Sequence, residues 1–549
     1  MTARASSAEL QAIAKACQQF VLDIEDEVIV EEFSCAGGMG EAIHMALGRH
    51  VDYAVNHDDD ACSLYKANHP QTEVFCADVY GNEVAPRLVV KGRKVGLFHM
   101  SPDCTDHSQA KGGQPRSKRL RALPWVAIKW VGQVRPRVIT WENVWEITRW
   151  GRLIAKRCKV TGRVVKLDGT VAAKGERVPV QEQYLIPDPK DAGRTWRRFL
   201  ALLRAAGYEG AYWKINAANH GAGTKRERLF GVFRCDGVPV VEPKPEYFAK
   251  PARGQQRWKP AYESIDFDIE SKSIFGRKKP LVEASLTRVA YGLKKFVLDS
   301  GDPFIVPVTH RGGIRCNDIR EPLRTITTAH RGEFMLATPT LIQVGYGERK
   351  GQAPRALDIE QPIGTVMAGG NKFALVTAFV EQANGGKNTD PAKSVEQPFS
   401  TIMTKGANQW LVTANLESIE YDLSPEAEEG ALRCAAFLIR YYGQGGQWSD
   451  LRDPMATITT KDRLALVTVW LRGLPHVVTD ICMRMLTPRE LATASSFPLS
   501  YIFDRGHDGR IFSKTKQVGF IGNAVPPLMG HGVLSAQPFI ARPRELAAA

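Results

Sequence analysis

An α/β fold, a doubly wound and mostly parallel sheet joined to a β-rich repeat module, is what this 549-residue sequence predicts. Three observations lead there. Short apolar runs (Val28-Ile29-Val30, Val95-Gly96-Leu97-Phe98, Val138-Ile139) alternate with helix-like stretches, and each run ends in a polar or glycine-bearing turn. The first run passes through Ser34-Cys35-Ala36-Gly37-Gly38-Met39-Gly40 into a helix, the strand–glycine turn–helix unit that opens a doubly wound sheet. Further on, Pro-x-x-Thr-[Ile/Val] recurs four times, at Pro322, Pro362, Pro398 and Pro454, each copy followed by a second apolar strand.

Bulk properties narrow the function. A net charge of +14 and a pI near 9.2 favour a polyanionic partner without requiring one. Hydrophobic content of 44% allows sizeable cores. The ten cysteines are scattered, with no zinc-type spacing and no disulfide framework, so the expectation is no metal and a reducing compartment. The first 26 residues lack a long apolar core and read as neither a signal peptide nor a membrane span.

In chain order, residues 8–24 have the apolar spacing of a leading helix. Val28–Phe33 reads as a strand, and its glycine turn lets a ligand approach a helix N-terminus. A second strand, Val51–Val55, runs into Asn56-His57-Asp58-Asp59-Asp60, and a third, from Glu73, ends at Asp78. Polar residues at successive strand ends suit the ribose and base of a nucleoside cofactor. From Lys111 to Lys166 there are fifteen Lys/Arg and only two acids, Glu142 and Glu146, as expected of a surface that meets phosphates. Valine alternation around Asp168-Gly169 predicts an inserted hairpin over about 158–187. Thr195–Ala206 reads as a helix, Tyr212–Ala217 as a strand, and 274–298 as helical. Near the end, Thr487 caps a helix with Pro488 at its first position.

Three stretches carry chemistry. The strand at Val95–Phe98 delivers Cys104, in Ser101-Pro102-Asp103-Cys104, to a polar loop, which presents a nucleophile on a rigid support. A second strand ends in Trp141-Glu142-Asn143-Val144. In Thr224-Lys225-Arg226-Glu227-Arg228 the two arginines alternate, so on a strand they share one face. A thiol, a carboxylate and paired guanidiniums can attack, protonate and orient an electron-poor ring. The structural alternatives are a buried thiol, a structural salt bridge and surface phosphate contacts.

The order of these motifs resembles that of the DNA (cytosine-5) methyltransferases, over roughly 28–235 and 485–535. Phe33–Gly40 resembles the family's cofactor loop, and Pro102-Asp103-Cys104 with Ser108 and Ala110 its nucleophile motif. Glu142-Asn143-Val144 matches its acidic motif, and Lys225-Arg226-Glu227-Arg228-Leu229 resembles its paired-arginine motif. Arg489-Glu490-Leu491-Ala492 with Phe497-Pro498, and Gly522-Asn523-Ala524-Val525-Pro526-Pro527, resemble its last two.

The resemblance implies a Rossmann-like, S-adenosyl-L-methionine-dependent catalytic domain over 1–235, a target-recognition domain over 236–484 carrying the four repeats, and a return to the catalytic domain over 485–549. It implies methyl transfer to C5 of cytosine in double-stranded DNA through a covalent bond from Cys104 to C6, with the base flipped out of the helix. Cys104, Glu142, Arg226 and Arg228 would be catalytic. Phe33, Ser34, Cys35, Ala36, Gly37, Gly38, Met39, Asn56, His57, Asp58, Asp78, Val79, Pro102, Asn523 and Val525 would hold the cofactor. Ser108, Lys111, Arg116, Lys118, Arg119 and Thr224 would meet DNA, and His330, Arg331, Lys372, Lys405, Gln409, Lys461 and Arg463 are candidates for reading bases.

The chain departs from the family pattern at Asp103 and Thr105, beside the nucleophile, at Thr224, where glutamine is usual, at Cys35, and at Asn56, where an acidic residue is usual. This divergence suggests a phage or prophage branch. The expected setting is a monomer in the cytoplasm, near the nucleoid, of a bacterial or phage-infected cell, with no membrane or metal partner and a cognate restriction enzyme as one candidate partner. The rival readings are an RNA cytosine-5 methyltransferase and a catalytically silent DNA-binding homologue.

Overall fold

The computed structural model describes residues 27–108, 115–266 and 474–538 almost throughout and, between 268 and 471, the strands and short segments named below. The leading helix expected over 8–24 lies outside the described residues.

The N-terminal part of the chain follows the expected alternation. Its elements are β1 (Val28–Glu32), α1 (Gly38–Leu47), β2 (Tyr53–Asn56), α2 (Asp59–Asn68), β3 (Glu73–Cys76), α3 (Pro86–Val89), β4 (Val95–Met100), α4 (Lys118–Ala122), α5 (Val126–Val134), β5 (Val138–Asn143), β6 (Leu153–Ala155), β7 (Leu185–Pro187), α6 (Arg194–Ala205), β8 (Glu209–Asn216) and β9 (Glu227–Arg234). Seven strands form one sheet in the order β3-β2-β1-β4-β5-β9-β8. β3, β2, β1, β4 and β5 are mutually parallel, and β9 runs antiparallel to both of its neighbours. The result is a mostly parallel, Rossmann-like sheet of the methyltransferase kind, with β1 and β4 adjacent at the point where the strand order reverses.

Both faces of the sheet are covered, and the sequence shows why. Along β4, Leu97 faces one core and Phe98 the other; along β5, Val138 and Ile139 do the same. One core gathers Phe98, Trp130, Trp141 and Phe199; the other gathers Ile29, Leu97, Phe230 and Met529. Helix α6 buries Trp196, Phe199, Leu200 and Leu203 along one stripe and leaves Arg194, Arg197, Arg198 and Arg204 exposed, the amphipathic pattern of a helix packed on a sheet.

The C-terminal segment returns to this domain as α7 (Pro488–Ala494), α8 (Lys514–Asn523) and α9 (Pro527–Ser535). Thr487 and Glu490 form a capping box at the start of α7, with Pro488 at its first position. Helix α9 approaches α1 closely at Gly530, where a Cβ would lie 2.7 Å from Ala42 Cβ and from Met39 Sδ.

Between β5 and α6 the chain leaves the sheet. β6 and β7 pair antiparallel, and the segment between them turns at Asp168-Gly169, with Gly169 at φ +87. The helix expected over 274–298 does not begin at Ile274. Lys272 and Ser273 pair with Met483 and Cys482, and Ile274 N–H donates to Ile481 O at 2.8 Å, so the strand edge of 474–485 captures this segment. The described helical residues start at 286.

In the repeat region the strands of copies one and three pair with each other in parallel. Leu323 pairs with Phe399, Thr325 with Thr401 and Ile326 with Ile402, each with the residue 76 positions further along. The preceding strands keep that offset, with Cys316 opposite Ala392 and Asn317 opposite Lys393. Equivalent positions of two repeats therefore face one another, as repeated sequence favours.

Candidate active site

Cys104, Glu142 and Arg228 come from three neighbouring strands of the sheet. β4 ends at Met100, and Ser101 N–H donates back to Glu32 O at 3.3 Å. Buried His99 bridges Thr140 Oγ1 (2.9 Å) and Ser101 Oγ (2.7 Å); burial pushes its pKa down to about 3, so it is a neutral strut. Pro102 O accepts from Asn143 Nδ2 at 2.9 Å, which ties the cysteine loop to the end of β5. Beyond the thiol the chain turns at once: Cys104 O accepts from His107 N–H (3.0 Å) and Ser108 N–H (2.8 Å). Asp103 is exposed, and its carboxylate accepts from Thr105 N–H at 2.6 Å.

Glu142 is buried near the end of β5. The antiparallel register sets Phe230 opposite Glu142, so the start of β9 passes over the end of β5, and Arg228 Nε lies 3.0 Å from Glu142 Oε1. Arg226, also buried, donates from Nη1 to Gly522 O at 2.8 Å and so joins the C-terminal segment to the site.

These groups sense one another. Burial pushes the half-buried Cys104 thiol up to about 11; Arg228 pulls it down, Glu142 and Asp103 push it further up, and Arg226 pulls it down. Burial raises Glu142 above the usual carboxylate range, against the pull of Arg228 and Arg226. Burial and the neighbouring Arg228 bring Arg226 down to about 9. The structure thus gathers all four predicted catalytic residues into one electrostatic cluster at the C-terminal ends of parallel strands, where such sheets bind ligands.

The predicted cofactor residues lie along the same edge. Phe33, Cys35 and Gly37 all have positive φ (60, 44 and 77), a tight turn that leads into α1. At Gly37 a Cβ would sit 2.5 Å from the Tyr501 hydroxyl, and at Gly38 one would sit 2.1 Å from Val525 O, so both glycines are required by close approach. The N-terminus of α1 has no side-chain cap. Ser34 Oγ and Glu32 Oε2 are buried without a hydrogen-bond partner among the described residues. Glu32 Oε1 accepts from Trp130 Nε1 at 2.7 Å, and burial pushes Glu32 up to about 8. Cys35 is pushed up to about 12, mainly by burial.

Asn56 is buried and its Oδ1 accepts from Asp58 N–H (3.0 Å); Asp58 caps α2 and lies 3.3 Å from Lys516 Nζ. His57 is exposed. Asp78 accepts from Tyr80 N–H and forms an ion pair with Arg119, so a residue predicted to meet DNA holds one predicted to meet the cofactor. Val79 and Val525 are buried, Met39 is in the core, and Asn523 is exposed.

Among the predicted DNA contacts, Thr224 is fully buried, Lys118 is exposed, Ser108 is half-buried and Arg116 donates from Nη1 to Thr105 O at 3.2 Å. Lys111 lies outside the described residues, as do the candidate base readers apart from Gln409, which begins a strand.

Two positioning residues had no signal in the sequence. Tyr501 donates its hydroxyl hydrogen to Ala36 O, and His69 Nε2 lies 3.0 Å from the Tyr501 hydroxyl oxygen. Both brace the glycine turn, from positions 465 and 33 residues away from Ala36, and neither stands in a motif quoted above. Among the described residues no His/Cys/Asp/Glu group could hold a metal, and no helix is long and apolar enough to cross a membrane.

The fold matches that of a Rossmann-like methyltransferase domain. Residues 28–151 match the model of the family described as C-5 cytosine-specific DNA methylase, which supports a methyltransferase acting at C5 of cytosine. The chain is also similar to solved structures at low identity. A mutant of Spodoptera frugiperda DNMT2 is 13% identical, with 93% of this chain and 99% of that one covered and a TM-score of 0.42. The Dnmt2 methyltransferase of S. pombe is 11% identical, with 93% and 97% covered and a TM-score of 0.41. A prophage-encoded E. coli protein, assigned by its description as a DNA modification methyltransferase without established activity, is 14% identical, with 93% and 98% covered and a TM-score of 0.33. No curated protein matches the chain.

Proposed function

We propose that the protein transfers a methyl group from S-adenosyl-L-methionine to C5 of cytosine in double-stranded DNA, with Cys104 as the attacking nucleophile. The observation that carries this reading is the half-buried thiol beside the Glu142–Arg228 ion pair, at the mouth of the sheet edge that bears the glycine turn.

The cofactor-side residues fit such a ligand. The uncapped N-terminus of α1 suits its carboxylate. The buried oxygens of Ser34 and Glu32, without partners among the described residues, offer polar contacts, and Asn56 and Asp78 stand at the ends of the second and third strands. Bound there, S-adenosyl-L-methionine supplies an electrophilic methyl on a sulfonium.

The chain's own residues do the rest. Cytosine C5 is a poor nucleophile. When the thiolate of Cys104 forms a bond to C6, the electron pair of the C5–C6 bond becomes available at C5, and charge develops on the ring. Glu142, carrying a proton more readily than an ordinary carboxylate, hydrogen-bonds N3 and the exocyclic amine and neutralises that charge. Arg228 holds Glu142 and presents its remaining N–H groups to the cytosine O2, while Arg226 fixes the strand through Gly522. After methyl transfer a base, such as a water at the mouth of the site, takes the C5 proton, the C5–H electron pair re-forms the C5–C6 double bond, and the C6–S bond breaks with its electrons returning to sulfur. In a duplex C6 cannot be reached, so the base must leave the stack, at a cost of a few kcal/mol. The basic residues after Cys104 then meet flanking phosphates.

A transfer assay tests the reading: tritiated methyl should reach duplex DNA and not tRNA, and bisulfite sequencing should place it at cytosine C5. Label in tRNA alone would favour the RNA enzyme, and label in neither the silent DNA binder.

A further inference from the structure

Residues 151–187, between β5 and α6, form an arm that the chemistry above does not use. Its described core is slight, since Val165 and Ala172 are its only buried apolar side chains. Backbone pairing holds it together instead: β6 with β7, then bridges Arg157 to Val164, Val165 to Val171 and Lys166 to Gln183. The arm has eight Lys/Arg against three acids, Asp168, Glu176 and Glu182.

Half of those cations are engaged within the protein. Arg152 pairs with Asp188, Lys166 with Glu176, Lys156 lies over the Tyr184 ring, and Arg157 donates to Gly162 O. Lys159, Arg163, Lys174 and Arg177 make no side-chain hydrogen bond or ion pair with the described residues, and all but the half-buried Arg163 are exposed. Exposed apolar residues (Val160 and Leu167 among them) occur singly between the charges, which is ordinary for a surface and unlike a protein-docking patch.

Both roots of the arm are tied to the turn that follows Cys104. Arg121, buried, donates to Asp106 O (3.0 Å) and to Gly151 O (3.3 Å), where the arm begins. Arg116 donates its side chain to Thr105 O and its backbone N–H to Leu185 O (3.0 Å), where the arm ends. An anion held by the arm is therefore held on a segment rooted at the nucleophile turn.

From this we propose that the arm is a second contact surface for the substrate, in which Lys159, Arg163, Lys174 and Arg177 engage the phosphate backbone of duplex DNA beside the target base. The inference rests on the methyltransferase reading for the identity of the duplex. Its physical core is a set of uncommitted cations rooted at the nucleophile turn.

The test is the salt dependence of binding, measured by fluorescence anisotropy on a 30-base-pair duplex, for the full-length protein and for K159Q/R163Q/K174Q/R177Q. Each phosphate contact adds about 0.9 to the slope of log affinity against log salt, so the variant's slope should fall by roughly 2 to 4. Affinity should drop at least about tenfold at moderate salt. Because these residues lie outside the catalytic cluster, kcat at saturating DNA should stay within about twofold, as expected of phosphate contacts that supply affinity rather than chemistry. An unchanged slope and affinity overturns the proposal, and so does a loss confined to duplex RNA. A wild-type protein that binds DNA with an arm-dependent slope but transfers no methyl upholds the arm and sinks the methyltransferase reading. Normal methylation with an unaltered slope does the reverse.

Discussion

Replacing Arg228 with methionine removes the guanidinium 3.0 Å from Glu142 while roughly keeping the side chain's bulk. Both side chains are about nine-tenths buried, so screening by water is weak and the pair cannot be treated as a surface salt bridge. Removing one partner of such a pair leaves an uncompensated buried charge, which costs about 3 to 5 kcal/mol. Arg226 still acts on Glu142, so the low end, about 3 kcal/mol, is expected. For a domain of this size that corresponds to a fall of roughly 6 to 12 °C in melting temperature.

The pH dependence follows from the same pair. Glu142 already binds its proton more tightly in the folded state than in the unfolded chain, where its pKa is near 4.5. Losing Arg228 raises it further. A carboxylate raised on folding contributes stability that is complete below the unfolded value and is lost as pH rises through the folded value. The penalty of Arg228→Met should therefore be smallest near pH 4.5 and grow through neutrality. The double variant Arg228→Met/Glu142→Gln should recover at least about 1.5 kcal/mol of the loss, because no charge remains to be paired. It should recover none of the methyl transfer. Urea unfolding followed by tryptophan fluorescence, at intervals from pH 4.5 to 8.5, measures all of this. A penalty below about 0.5 kcal/mol, independent of pH and additive with Glu142→Gln, would refute the argument.

Other expectations follow from the same geometry. Asn143→Ala loses the donor that holds Pro102 O and should cost about 1 to 3 kcal/mol, with kcat falling more than KM rises as the cysteine loop shifts; stopped-flow turnover and denaturant titration check it. The thiol sits near 11, so the rate of covalent attack should climb with pH, about tenfold per unit below that value, and Asp103→Asn should move the profile to lower pH because the carboxylate that pushes the thiol up is gone. A profile that is flat, or that moves to higher pH in the variant, contradicts this. Tyr501→Phe keeps the ring and removes the hydroxyl between Ala36 and His69, so S-adenosylhomocysteine should bind roughly three- to tenfold more weakly by calorimetry, with kcat nearly unchanged.

Much of the catalytic half was legible because its signals are local. β4 and β5 begin at Val95 and Val138, where the apolar runs place them, and α6 spans Arg194–Ala205 against an expectation of 195–206. Asp58, one of the polar residues that follow the second strand, caps α2. What stayed hidden depends on contacts between distant parts of the chain. Nothing around Tyr501 announces that its hydroxyl meets Ala36, and nothing in Gly522 announces that its carbonyl receives Arg226. Glu31 and Glu32 look like a solvated end to the first strand, yet both are buried, bonded to Tyr65 and Trp130 and pushed up to about 8 by burial. Alternation alone cannot reveal this, because a parallel sheet buries both faces of its strands. At Ile274 helical spacing misled, since an unpaired strand edge nearby offered its backbone a partner.

The central claim is that the sulfur of Cys104 bonds to C6 of a cytosine. It is tested most directly by incubating the protein with S-adenosyl-L-methionine and a duplex carrying 5-fluorocytosine in place of cytosine, then digesting and sequencing by mass spectrometry. Fluorine at C5 cannot leave as a proton does, so the covalent bond should persist. The account predicts a stable adduct on the peptide containing Cys104, absent in Cys104→Ser and nearly absent in Glu142→Gln. An adduct on any other cysteine, or none where the same preparation methylates ordinary duplex, would contradict it.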